Sequence, residues 1–256
     1  RRHSFPTRRS SDLAYEKYQQ SCDKGLNLNI APGEKVGILG KIGSGKTTTL
    51  KLASGMFEPL EGNVTLDGVD LRQLDPNYLR NQVAFLGQAP RLFLGTLREN
   101  LDLSRQDGFS TDQELLLALK RFGLDSLIQN HPRGLDMPLG EDGLGLSGGQ
   151  KQRLSIARVI LKKPSLYIYD DSFSALDFKT DATLRKALKP EVEDAIFFVV
   201  AQRISTIMDS DMIIVLDEGQ IIGMGTHAQL LKDCSVYQEI AHSQLTQKEL
   251  DDYERN

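Results

Sequence analysis

The sequence predicts an α/β fold, a core of buried strands and helices interrupted by one mostly helical insertion. Three observations carry this. From Ala14 onward, strand-sized apolar runs such as Ala195–Ala201 and Met212–Leu216 alternate with stretches of helical period. A glycine-rich turn, Gly40–Gly45, stands between an apolar run and a helix. Between about Gly95 and Lys163 the strand signal disappears.

In chain order, Leu26–Ile30 and Lys35–Leu39 read as strands, and a helix runs from Lys46 to about Ser54. Asn63–Leu66 is a strand ending in the turn dipeptide Asp67-Gly68, and Val83–Leu86 is another. Thr111–Phe122 carries Leu115, Leu116, Leu119 and Phe122 at helical spacing, with Thr111 or Ser110 as N-cap. Gly148–Leu161 is a second helix, ended by Lys162-Lys163-Pro164. Leu166–Tyr169, Ala195–Val200 and Met212–Leu216 are buried strands with helices between them. Asp217-Glu218-Gly219-Gln220 makes a hairpin turn before Ile221–Met224, and short amphipathic helices close the chain.

With 256 residues, 39% hydrophobic and 26% charged, this is the composition of an ordinary globular domain. No apolar run approaches the roughly 18 residues of a membrane span. Two cysteines far apart, Cys22 and Cys234, form no CxxC and argue against a disulfide scaffold or a Cys-based zinc site. Net charge is −4, which opposes a nucleic-acid partner. Residues 1–13 hold four of the 31 basic and one of the 35 acidic residues, so the remainder carries −7. This segment has no hydrophobic period and no signal-peptide core; His3–Leu13 reads as translated adapter sequence, with a genuine basic tail as the alternative. A non-native leader implies a missing upstream portion. The domain proper then spans 14–243, with its helical part at about 95–163 and a tail at 244–256.

Gly40-Lys41-Ile42-Gly43-Ser44-Gly45-Lys46-Thr47 matches G-x-x-x-x-G-K-S/T at every fixed position. Glycines let the backbone fold so that successive N–H groups face phosphate oxygens. Lys46 offers a cation to the β- and γ-phosphates, Thr47 a hydroxyl to Mg²⁺, and the helix its positive end. A second metal ligand is expected on a buried strand, and Asp170 supplies it after the apolar Leu166–Tyr169.

Leu146-Ser147-Gly148-Gly149-Gln150, between that loop and Asp170, opens a basic amphipathic helix. With the other motifs it resembles the signature of ATP-binding cassette (ABC) proteins, and the resemblance covers nearly everything from Ala14 to about Ser243. It implies a P-loop NTPase core of the ABC type with a helical subdomain and an antiparallel β-subdomain. It implies MgATP sandwiched between the phosphate loop, extended to Thr48, and the LSGGQ of a second cassette. Tyr15 matches the aromatic that stacks on adenine, with Tyr18 as the alternative. Gln88 matches the glutamine that contacts Mg²⁺ and water and couples to the membrane domain. Ser174-Ala175-Leu176-Asp177 matches a loop that crosses the dimer interface, and Gly140-Glu141-Asp142-Gly143 resembles an exporter-specific segment.

Two positions depart from the family. Asp171 stands where a Glu normally polarises the attacking water, and Gln202 stands where a His normally contacts the γ-phosphate. Asp is shorter by a methylene, roughly 1 Å, and a positioned reaction loses on the order of a hundredfold at that displacement. Gln donates a hydrogen bond but carries no charge. The pair resembles the weakly hydrolytic half of heterodimeric exporters, which keeps an intact LSGGQ for its partner's site. That reading places the domain at the cytoplasmic face of the membrane, on a transmembrane domain absent from this chain, with the exported substrate reached only through that domain. The alternatives are a fully active homodimeric ATPase of a peptide or protein secretion exporter, with Asp171 as base, and a soluble, non-transport ABC protein. Asp170–Ile204 resembles multidrug half transporters and Asp67–Gly145 resembles secretion exporters, which leaves a chimera open. His3, His131, His227 and His242 lack metal-ligand spacing and read as surface or capping residues.

Overall fold

A computed structural model describes residues 3–4, 26–103, 110–129, 131–172, 180, 184–185, 187–191 and 194–245. The strands among them are β1 (His3–Ser4), β2 (Asn29–Ile30), β3 (Lys35–Gly40), β4 (Thr65–Leu66), β5 (Val69–Asp70), β6 (Val83–Leu86), β7 (Gly95–Thr96), β8 (Pro138–Leu139), β9 (Leu166–Asp170), β10 (Ile196–Val200), β11 (Met212–Asp217) and β12 (Gln220–Gly225). The helices are α1 (Lys46–Ala53), α2 (Pro76–Gln82), α3 (Leu97–Asp102), α4 (Asp112–Arg121), α5 (Asp125–Gln129), α6 (Gly148–Leu161), α7 (Ile204–Ile207), α8 (His227–Asp233) and α9 (Ser235–Gln244).

Six strands form the central sheet in the order β12-β11-β3-β10-β9-β6. Every neighbouring pair is parallel except β11 with β12. Those two strands form a hairpin whose central residues, Glu218 (φ 46°) and Gly219 (φ 76°), both have positive φ. That conformation matches the natural twist of the strands. Parallel strands covered on both faces are apolar throughout, which is why β9 and β10 read as continuous runs. Alternate residues then point to opposite sides: Tyr167, Phe197, Val199 and Val215 join one core with α6 and α9. Ile168, Phe198, Val200 and Ile38 join a second core with Leu50 and Ala53 of α1. A smaller, wholly antiparallel sheet, β2-β1-β4-β5, flanks the second core, and His3–Ser4 of the amino-terminal segment pairs within it.

Several expectations shift. Leu26 and Leu28 are buried, yet only Asn29–Ile30 is strand. In the insertion, where no strands were expected, β7 and β8 pair over two residues each, too short to leave a periodicity. Thr111, not Ser110, caps α4: it accepts from Glu114 N–H while the Glu114 carboxylate accepts from Thr111 N–H. His227 does begin a helix, but it is 3% exposed instead of lying on the surface, and Thr226 is the cap. Its Nδ1 lies 2.6 Å from Tyr237 Oη, between the two terminal helices. The helix at 76–82 was missed because none of its residues is buried, leaving no apolar stripe.

Candidate nucleotide site

The phosphate loop bridges β3 and α1. Gly43 (φ 85°) and Gly45 (φ 101°) take backbone conformations that side chains disfavour. A Cβ on Gly40 would overlap the Leu216 carbonyl and Ser44 Oγ. The loop is braced from within by Ser44 N–H donating to Lys41 O at 3.1 Å, and from outside by Gly219 N–H donating to Ser44 O at 3.1 Å. Sequence places Gly219 in a remote hairpin; the sheet brings it alongside because β11 pairs directly with β3.

Lys46 folds over the loop, its Nζ donating to Gly40 O at 2.8 Å and Lys41 O at 2.6 Å. Burial lowers the pKa of this ammonium, against the opposing pull of Asp170 and Asp171. Thr47 Oγ1 donates to Asp170 Oδ2 at 2.7 Å, so the hydroxyl and carboxylate expected to share a metal are adjacent across 123 positions of chain. Lys41 and Ile42 form the exposed tip, and the Thr48 side chain is buried in α1.

Beyond Asp170 the backbone turns left-handed at Asp171 (φ 52°). That residue's N–H donates to Val200 O at 3.1 Å. One of its carboxylate oxygens, Oδ2, accepts from Gln202 Nε2 at 2.6 Å and from Gln88 Nε2 at 3.3 Å. The structure thus gathers Lys46, Thr47, Asp170, Asp171, Gln88 and Gln202 at the carboxyl ends of adjacent parallel strands, where α/β sheets bind ligands.

The signature lies elsewhere. Ser147 and Gln150 form a capping box at the start of α6, with Ser147 N–H donating to Gln150 Oε1 at 2.8 Å and Gln150 N–H to Ser147 Oγ at 3.2 Å. Leu146, Gly148 and Gly149 complete that turn. Its helix packs on α3, α4 and β6, whereas α1 packs on β3, β9 and β10. Tyr15, Tyr18 and Asp177 lie outside the described residues.

Two contributors escaped the sequence reading. Gln152 Nε2 donates to Ser172 O at 2.5 Å, and Ser172 Oγ donates to Leu86 O at 2.9 Å. Together they fix the peptide after Asp171 between α6 and the end of β6. Their only sequence signal was a polar side chain, Gln152, one turn before the apolar Ile156 of α6.

The residues fit a magnesium nucleotide. Among the described residues, Ser44 Oγ is buried within the loop and makes no hydrogen bond, an acceptor-seeking hydroxyl beside the loop amides. Space is open around the Gly43 Cα, where close approach of a ligand needs it. Hydroxyl, carboxylate and amide oxygens from Thr47, Asp170 and Gln88 are hard donors suited to Mg²⁺, which binds few protein groups and shares phosphate oxygens.

A sequence profile described as "ABC transporter" matches residues 24–174. The chain belongs to the ABC transporter family. Residues 24–174 are the ATP-binding domain of that family. Over 228 residues it is 39% identical to multidrug resistance protein 3 of Entamoeba histolytica, covering 89% of this chain and 17% of that protein. Over 229 residues it is 40% identical to the ATP-dependent lipid A-core flippase of Neisseria meningitidis serogroup A, covering 90% and 37%. A bacterial Atm1-family ABC exporter with ATP bound superposes with TM-score 0.86 and 32% identity, covering 94% of this chain and 42% of that one. The chain therefore spans well under half the length of these relatives. Among the described residues, no helix is long and apolar enough to cross a membrane.

Proposed function

We propose that this chain powers a membrane exporter from the cytoplasmic face, holding MgATP firmly at a site that hydrolyses it slowly. In this reading its signature completes the more active site of a second half-transporter subunit. The observation that carries it is the state of Asp171. Its side chain is already a methylene short, and Oδ2 is held by two amide groups, Gln202 at 2.6 Å and Gln88 at 3.3 Å. With both donors on Oδ2, that oxygen has little capacity left to accept from an attacking water.

When bound, the metal supplies charge neutralisation on the phosphates. The chain's own residues do the rest. Loop amides and Lys46 bind phosphate oxygens, Thr47 and Asp170 hold the metal, and Gln202 offers one uncharged donor toward the terminal phosphate. The intact capping box at Ser147 leaves the α6 amino terminus presented for the partner's nucleotide. Coupling to a transmembrane domain is assigned to the face carrying Phe93, Leu94 and Leu144, exposed by 49%, 80% and 80%. It adjoins the Gly140–Gly143 segment, because Gly143 packs on Leu92. The transported molecule would contact that membrane domain alone.

Turnover of the 256-residue chain, compared with its Asp171→Glu/Gln202→His double variant, tests the reading. The variant restores reach and charge together, and its kcat is expected to rise on the order of a hundredfold with KM little changed. Equal rates would instead identify a fully active ATPase in which Asp171 serves as the base.

A further inference from the structure

Helix α7 starts immediately after Gln202, and Arg203 at its N-cap gives no side-chain capping bond. The first helical amide, Ile204 N–H, donates instead to Gln244 Oε1 at 2.8 Å. Gln244 is the last residue of α9, forty positions further along the chain. Its amide nitrogen turns back and donates to the Gln202 carbonyl at 2.8 Å. One primary amide thus serves the acceptor of residue 202 and the donor of residue 204 at once. Gln202 in turn donates through Nε2 to Asp171 Oδ2 at 2.6 Å. A continuous hydrogen-bonded path runs from the end of α9 to the carboxylate beside the metal-binding Asp170.

We propose that Gln244 is a positioning residue for the hydrolytic end of the nucleotide site. It fixes the backbone at Gln202, and through it the grip of the Gln202 amide on Asp171. The proposal rests on the reading of Gln202 and Asp171 as the γ-phosphate end of the site.

The reason for this device is local. A helix of one turn, Ile204–Ile207, has almost no hydrogen bonds of its own to hold its first residues. Gln202 precedes it as the exposed residue between buried Ala201 and half-buried Arg203, and an exposed side chain swings freely unless its backbone is anchored. Helix α9 can act as the anchor because Tyr237 and Ala241 are buried in the same core as Ile204 and Ile207. Its end is therefore held rigidly over the junction. The two bonds also separate two roles, since Oε1 caps a helix and Nε2 holds the site.

Two variants of the full chain use that separation, with Ser243→Ala as control. Gln244→Leu removes both bonds. Gln244→Glu keeps an acceptor for Ile204 N–H but sets a carboxylate oxygen against the Gln202 carbonyl. Without nucleotide, the Gln202 side-chain amide signal in ¹⁵N NMR (assigned by its loss in Gln202→Ala) should collapse toward the averaged position in both variants. Hydrogen exchange at Ile204 should quicken about tenfold in Gln244→Leu only. ATP affinity should be unchanged, and residual hydrolysis should rise about tenfold in both variants, as a loosened Gln202 amide frees Asp171 Oδ2 to accept from water. A Gln244→Glu chain with a wild-type Gln202 signal and a wild-type hydrolysis rate would reduce Gln244 to a helix cap and overturn the proposal. Failure of the unmodified chain to bind ATP would count against the nucleotide reading alone, because the NMR arm is read without ligand.

Discussion

Asp171 and His227 are two buried titratable side chains that the chain uses in opposite ways. The Asp171 carboxylate is 8% exposed, sits at a left-handed φ, and is held between Gln88 and Gln202. His227 instead fills the seam between α8 and α9 against Tyr237, with ring centroids 5.6 Å apart. Burial lowers its pKa below the ordinary 6.5. As pH falls, the unfolded chain takes up this proton before the folded chain does, so stability is lost from about pH 6.5 down to the folded value. The melting temperature should therefore drop as pH falls below about 7, and drop less in His227→Gln. Identical pH dependence in the two proteins would show that His227 is not the cause. Glycine-Thr-His at 225–227 announced a helix start in the sequence, but burial of the ring depends on Tyr237, which no local pattern connects to it.

Caps explain which helices were legible. Thr111 with Glu114 and Ser147 with Gln150 each satisfy two amino-terminal amides reciprocally, and each precedes a helix with a buried stripe. Both features were visible as letters. Helix α2 carries an equally good start, Asp75 accepting from Asn77 and Tyr78 N–H with Pro76 in the first turn, but has no fully buried residue, so only half of the signal was present. The signature motif gains a second role from this comparison. Its serine is a structural cap in a single chain, whatever it does at a partner's nucleotide. Ser147→Ala should cost about 1 kcal/mol, seen as a lower urea midpoint at unchanged slope. ATP affinity of the single chain should stay the same, because α6 and the phosphate loop pack on different partners. A loss of affinity in the monomeric chain would mean that the signature serves its own loop.

Across the molecule, one sheet separates two cores and joins them. Leu154, fully buried in α6, belongs to the core on the side of the helical insertion. Ile38 and Leu50 belong to the other, beneath the phosphate loop. Truncating Leu154→Ala should destabilise by about 2–5 kcal/mol, the usual cost of a leucine-sized cavity. Because β9 and β10 present alternate side chains to both cores, calorimetry should still show a single transition at lower temperature. Two resolved transitions would mean that the insertion unfolds independently of the nucleotide core. ATP binding well below the melting temperature should persist, since the loop is braced by Gly219 and Asp170 from the opposite side.

The order of letters alone was enough to mark the glycine-rich loop before α1, the carboxylate at the end of β9, the helix that opens at Gly148 and the buried strands. Each is a local device: a motif of fixed spacing, a reciprocal cap, or a run of apolar residues long enough to show its period. Strand order, the pairing of Thr47 with Asp170, the two amides on Asp171 and the reach of Gln244 to Gln202 came only with the packed chain. They join residues separated by between 31 and 123 positions, and such contacts exist only where the sheet and its covering helices bring distant backbones to one edge.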